Sequence, residues 1–201
     1  EIMYNKYDIF RNLFMYYFLA GLLFFIFIIL NIFSENKSIH NFMKYIFIIF
    51  RSSIVLLFIA HTLGLIARWY ISGHAPWGDA YESMIYVAWA TMGIGLLFIK
   101  KSDLTLASTS FVTSMILMIA HWNWMDPSIA NLVPVLNSYW LMIHVSVIVG
   151  SYGPFALSMI LGFVSLLLIV FITSSNKEKI KNQLSELTMI NELSVTVGLI
   201  M

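Results

Sequence analysis

The sequence contains no cysteine. That excludes a disulfide, a thiolate metal centre and a Cys-X-X-Cys-His pair able to hold a haem covalently. Charge is almost as scarce. Asp, Glu, Lys and Arg make up 10% of the 201 residues, where soluble domains carry roughly 25%. The net charge is +1 and no basic patch is present, so nothing neutralises a row of phosphates and nucleic acid is not an expected partner. No GxSxG, HExxH or P-loop pattern occurs, and the acids Glu82 and Asp126 stand too isolated to read as a catalytic pair.

What fills the space is apolar. Hydrophobic residues make up 60% of the chain, and several runs reach the roughly 20 residues that a helix needs to cross a bilayer. Lipid offers no partner for bare backbone groups, so such runs are helices. The expected fold is an all-α, polytopic membrane bundle of about five spans, with membrane lipid around it. The spans run roughly over 12–33, 44–69, 81–99, 104–120 and 139–172. Residues 1–173 read as the transmembrane part. Residues 174–201 read as a polar cytoplasmic linker or aqueous helix, to Glu192, followed by the start of a further helix. The first residue, Glu1, and the apolar close at "VTVGLIM" read as a piece of a longer polypeptide.

Five spans make the connections alternate between the two sides. Lys37, Lys44, Lys100, Lys101, Lys177, Lys179 and Lys181 fall on one side, and Lys6, Arg11 and Arg68 on the other. The lysine-rich side is expected to be cytoplasmic. His61, His74, His121 and His144 then lie in or towards the outer half, and only His40 lies inside.

The stretch "HWNWMDPSIANLVPVLNSYWLMIH", His121 to His144, joins two apolar runs. Pro127 and Pro134 stop helix formation within it. Asn137 or Ser138 suits the cap of the following span. His144 would then sit about 9 Å below that start, with Trp140 one turn above it on the same face. A neutral imidazole is a strong axial ligand for haem iron; the competing reading is a packing histidine beside an interfacial Trp. His121, Trp122 and Trp124 read either as the wall of an outward-facing pocket or as an interfacial anchor. His61, in line with Gly64 and Arg68, reads either as a deep cofactor ligand or as a hydrogen bond between helices. Asp79 and Glu82 read as an N-terminal capping pattern. Glu82, Tyr86, Trp89 and Gly93 also share one helical stripe, which should face the protein interior. His74 and Trp77 lie in the loop before that span.

At "WGDAYES", "HWNWMDP", "LVPVLNSYWLMIHVSVIVGSYG" and "NELS" the chain resembles the cytochrome c assembly family, specifically the CcsA half of the system II haem exporter and cytochrome c synthase CcsBA. The resemblance runs from about Arg51 to the end. It implies a multi-pass protein of the bacterial inner membrane that moves haem b outward and holds it reduced and non-covalently on the periplasmic side. It also implies delivery of that haem to CxxCH motifs of apocytochrome c, together with a CcsB-type partner or fused half. The histidine of "WLMIH" is one of two outer axial ligands in that family, which implies the role of iron ligand for His144. "WNWMDP" differs from the family's Trp-rich motif, W-x-x-Y-W-x-W-D-P-K-E-T-W. It has an extra Met, lacks the continuation and precedes the ligand position, so the resemblance places the true motif beyond Met201. This stretch alone is therefore not expected to perform the synthase reaction. Two readings outside that resemblance remain at this point: a b-type haem anchor for electron transfer with paired histidines, and a transporter or structural bundle.

Overall fold

A computed structural model describes residues 8–33, 37–122, 126–129, 139–172 and 176–201, with side chains for all of these except 33, 37–42 and 139. Six helices account for nearly all of the described residues: α1 Ile9–Phe33, α2 Lys37–Ser72, α3 Ala80–Leu97, α4 Asp103–His121, α5 Tyr139–Val170 and α6 Lys177–Ile200. Four of them, α1, α2, α4 and α5, are long and apolar enough to cross a membrane. The third expected span forms α3. It is 18 residues long, about 27 Å at helical rise, and is packed among α2, α4 and α5. The chain is a multi-pass helical membrane protein.

The centre of the bundle is α4. It carries Thr105, Ser108, Thr109, Ser110, Thr113 and Ser114, all buried. Lipid tails are as apolar as leucine, so helices associate through close packing and hydrogen bonds rather than through hydrophobic drive. The α4 hydroxyls largely answer themselves. Ser108 donates to Leu104 O at 2.7 Å and Thr109 to Thr105 O at 2.6 Å. Ser110 instead donates across to Tyr17 O of α1 at 3.0 Å. Short side chains then let backbones approach. A Cβ added to Gly21 of α1 would lie 2.8 Å from the Phe111 amide nitrogen, and one added to Gly153 of α5 would lie 2.8 Å from that of Thr91 in α3.

Both ends of the bundle are pinned. At the lysine-rich end, Arg51 grips Asp103 with two bonds, Nε to Oδ1 at 2.6 Å and Nη2 to Oδ2 at 2.9 Å. Ser102 caps α4 beside it, accepting from the Thr105 amide. The opposite, lysine-poor end gathers the start of α1, the end of α2, the start of α3 and the end of α4. The chain's alternation between sides therefore holds through these four helices.

Two features complete the layout. From Lys177 to Ile200 the tail is one helix, α6, polar at first and apolar later, and it runs back along α5. Asn191 accepts from Ser158 at 2.6 Å, and Met201 reaches Gly150. The polar start of α6 lies near the Arg51–Asp103 pair, where burial and then the Asp103 charge push the Glu186 carboxyl up from its usual range. Secondly, α5 changes character along its length. Gly150, Gly153 and Pro154 are buried within it, whereas Trp140 through His144 are exposed.

Gly153→Ala and Gly21→Ala should each destabilise the bundle by about 1–3 kcal/mol, because the added methyl meets backbone that cannot yield. Gly162→Ala, which meets nothing within 4 Å, should be neutral or better by up to about 1 kcal/mol through helix propensity. Unfolding in mixed detergent and SDS micelles measures all three.

Candidate functional site

The lysine-poor end is organised around Arg68. Its helix, α2, stops at Gly73, whose φ of +71° is open to glycine without strain. The Gly73 amide closes the last turn onto Trp69 O at 3.0 Å. The chain then crosses to Asp79, which starts α3. Asp79 Oδ1 accepts from the Glu82 amide at 2.6 Å, and Glu82 Oε2 accepts from the Gly78 amide at 2.9 Å. The expected capping pattern is therefore formed, with Glu82 reaching one residue further back than an ordinary capping box.

Capping leaves the other Glu82 oxygen free for a second role. Oε1 accepts from Arg68 Nε at 2.9 Å, and both side chains are 1% exposed. Asp79 Oδ2 lies 3.8 Å from Arg68 Nη2. The guanidinium sits 4.9 Å from the centre of the Tyr81 ring. It also reaches out of the helices: Nη1 donates to Pro127 O at 3.0 Å and Nη2 to Ser128 O at 3.4 Å. Those carbonyls belong to the connection between α4 and α5. There the Ser128 amide and hydroxyl hold the Asp126 carboxyl below its usual range, with a smaller contribution from Arg68. His74 joins from the loop: Nδ1 donates to Ala75 O at 3.1 Å and lies 3.7 Å from Glu82 Oε2.

The expected α3 stripe does face the protein. Glu82 is buried, and below it Tyr86 stacks on Trp89 at 5.8 Å and Trp89 on Phe58 at 5.7 Å. Trp89 Nε1 donates to Thr62 Oγ1 at 2.9 Å, which fastens α3 to α2. Trp77 packs between Trp69 and Tyr86.

The histidines separate into two kinds. His61 is fully buried. Its Nε2 donates to Ile85 O at 3.2 Å, and its described ring neighbours are Phe10 and Tyr17 rather than another histidine. Its Nδ1 is buried without a partner. His121, in the last turn of α4, stacks on Phe14 at 6.3 Å and lies 3.9 Å from Asp8 Oδ2. Trp122 beside it is mostly exposed, and Trp124 lies outside the described residues. His144 and Trp140 stand on the exposed start of α5, where Trp140 is 80% exposed. Among the described residues His144 makes no hydrogen bond or ion pair. Thus Glu82 and His74 are brought together, whereas His61, His121 and His144 hold separate environments.

A cleft of about 280 Å³ opens between Asp8, Phe10, Arg68, Tyr81, Asp126 and Ser128. That is below the usual range for a drug-sized ligand, about 300–1,000 Å³, and its guanidinium is already engaged. Among the described residues no group of three or more His, Cys, Asp or Glu is placed to hold a metal ion. What the reading of the sequence missed is the joining of Arg68 to Glu82 and to the 127–128 carbonyls. The available signal was an arginine inside an apolar helix, which demands an acid at the same depth.

These features define a class: a helical membrane bundle of low charge, pinned by a buried ion pair at one end and carrying an exposed histidine on a helix there. Residues 77–201 match the family model described as "Cytochrome C assembly protein". The chain belongs to the cytochrome c assembly family. It is 38% identical over 200 residues to protein NrfI of Wolinella succinogenes, covering 99% of this chain and 22% of that protein. It is 32% identical over 167 residues to the cytochrome c biogenesis protein CcsA of Prochlorococcus marinus subsp. pastoris, covering 81% of this chain and 51% of that one. With CcsA of Lotus japonicus it shares 31% over 134 residues, covering 60% and 38%. The chain spans about half or less of the length of these curated relatives.

Glu82→Ala should cost about 3–5 kcal/mol, because it strands a buried guanidinium. Arg51→Ala, at a pair whose arginine is 37% exposed and so still reached by water, should cost less, about 1 kcal/mol. SDS-titration midpoints of the two variants give the comparison, and similar costs would contradict the assigned burial.

Proposed function

We propose that the chain serves cytochrome c biogenesis by handling haem b as non-covalent cargo. It carries the haem outward and presents it to the CxxCH motifs of apocytochrome c. The lysine-poor end is the periplasmic face of a bacterial inner membrane, in keeping with the lysine distribution. His144 supplies one axial ligand to the iron. Trp140, one turn above on the same face, shields the flat macrocycle, and His121 with Trp122 bounds the site.

One observation supports this choice of ligand above the others. Of the four histidines with described side chains, His144 alone is both exposed and without a hydrogen bond or ion pair among the described residues. An iron ligand must offer a lone pair to an incoming metal. His61 is sealed behind Phe10 and Tyr17, and His74 and His121 stand beside carboxylates. His61 and Glu82 then serve the bundle that carries the site.

Haem supplies the redox-active iron and the vinyl groups for thioether formation. The protein's contribution is positioning and ligation, which also protects the iron and sets its potential. With a single candidate iron ligand at the outer end, the chain acts as part of a synthase together with a CcsB-type partner or fused half.

The test is His144→Gly in the full-length parent protein, purified from membranes. Haem absorbance and cytochrome c maturation should fall at least tenfold, and imidazole added during growth should restore both. Unchanged haem content in that variant would remove His144 from the site.

A further inference from the structure

We infer that Arg68 is a positioning residue: it clasps the connection between α4 and α5 to the bundle and so sets where the His144-bearing start of α5 is presented. The inference rests on the reading of His144 for its significance, but the clasp itself is argued from contacts alone.

The guanidinium has a geometry that suits this role. Nε is committed to Glu82 inside the helices, while Nη1 and Nη2 point to Pro127 O and Ser128 O at 3.0 and 3.4 Å. One rigid, planar group thus bridges α2, α3 and the connection. Glu82 cannot drift, because Gly78 binds its second oxygen and Asp79 holds its amide. Tyr81 covers the guanidinium, and 1% exposure keeps water from competing for its donors. The connection offers backbone carbonyls, so the clasp depends on the shape of the chain at 127–128 and not on particular side chains there. Asp126 stabilises that shape, accepting from the Ser128 amide at 2.9 Å. Twelve residues further on stands Trp140, then His144 one turn later. Lysine cannot replace this clasp: its single ammonium is a point charge with no fork to span an acid and two carbonyls.

The chain has no cysteine, so a single spin label can be placed at Ser128→Cys, a substitution that keeps the accepting carbonyl. The full chain in lipid nanodiscs should show an immobilised label. Arg68→Lys should shorten the label's correlation time at least threefold, and Arg51→Lys, the same change at the other end, should leave it unaltered. A label that tumbles freely with Arg68 intact, or one equally immobile in folded Arg68→Lys, overturns the proposal. Should Arg68→Lys not accumulate, Glu82→Gln takes its place: a loosened label supports the clasp, and an unchanged spectrum overturns it. The readout needs no haem, so it stands whether or not His144→Gly loses haem. Where haem is bound, Arg68→Lys should also lower its occupancy severalfold, and full occupancy alongside a loosened label would overturn the link to His144.

Discussion

A guanidinium buried in an apolar bundle must be surrounded by oxygen, and the lysine-poor end is built to supply it. Glu82 gives a carboxylate, Asp79 stands behind it, and Pro127 and Ser128 give carbonyls. Each of these groups belongs to a different structural need. Glu82 also caps α3, and the two carbonyls lie in the chain leaving α4. One charge therefore ties helix initiation, helix packing and loop position together. Such ion pairs add little net stability when compared with apolar packing, because both charges must be stripped of water. Their effect is on specificity of arrangement: α3 has one register against α2 in which Glu82 meets Arg68.

The rest of the bundle follows from the solvent being lipid. Of the four helices suited to crossing a membrane, α4 is the least apolar and the most buried: 67% of its span is buried against 11% for α2. A soluble protein would show the reverse. Here apolar side chains have no reason to leave the lipid, and small hydroxyl residues gain most from the interior. The spans were legible in the sequence because long apolar runs have few other uses. The centre of the bundle was not, since hydropathy reports which helix tolerates lipid and not which one its neighbours surround.

The site divides in the same way. The Asp79–Glu82 cap was legible because capping is a local pattern of fixed spacing. Glu82's bond to Arg68, 14 residues away, depends on how α2 and α3 pack, and no local pattern encodes it. The polar tail from Ser174 to Glu192 left helix and linker open because its charges suit water; from Lys177 it is helical, and Asn191 answers Ser158 on α5. His144 was legible from its place in a span one turn below Trp140, and the resemblance added the role of iron ligand. Its setting, exposed and without a polar partner, is what the structure adds.

That setting has a mechanical side. Helix α5 is held at Gly150 and Gly153 and exposed from Trp140 to His144, with Pro154 removing one backbone bond at the junction. From Gly150 to His144 is roughly 9 Å of rise. A tilt of about 10° at the junction therefore moves the imidazole by roughly 1.6 Å, while a well-made site holds its groups to about 0.5 Å. A lever of this kind cannot fix its own tip. In the reading advanced for this chain, the tip is steadied from two sides, by the clasped connection that leads into it and by the flat cargo set against it, so the cargo becomes a strut of the site that holds it.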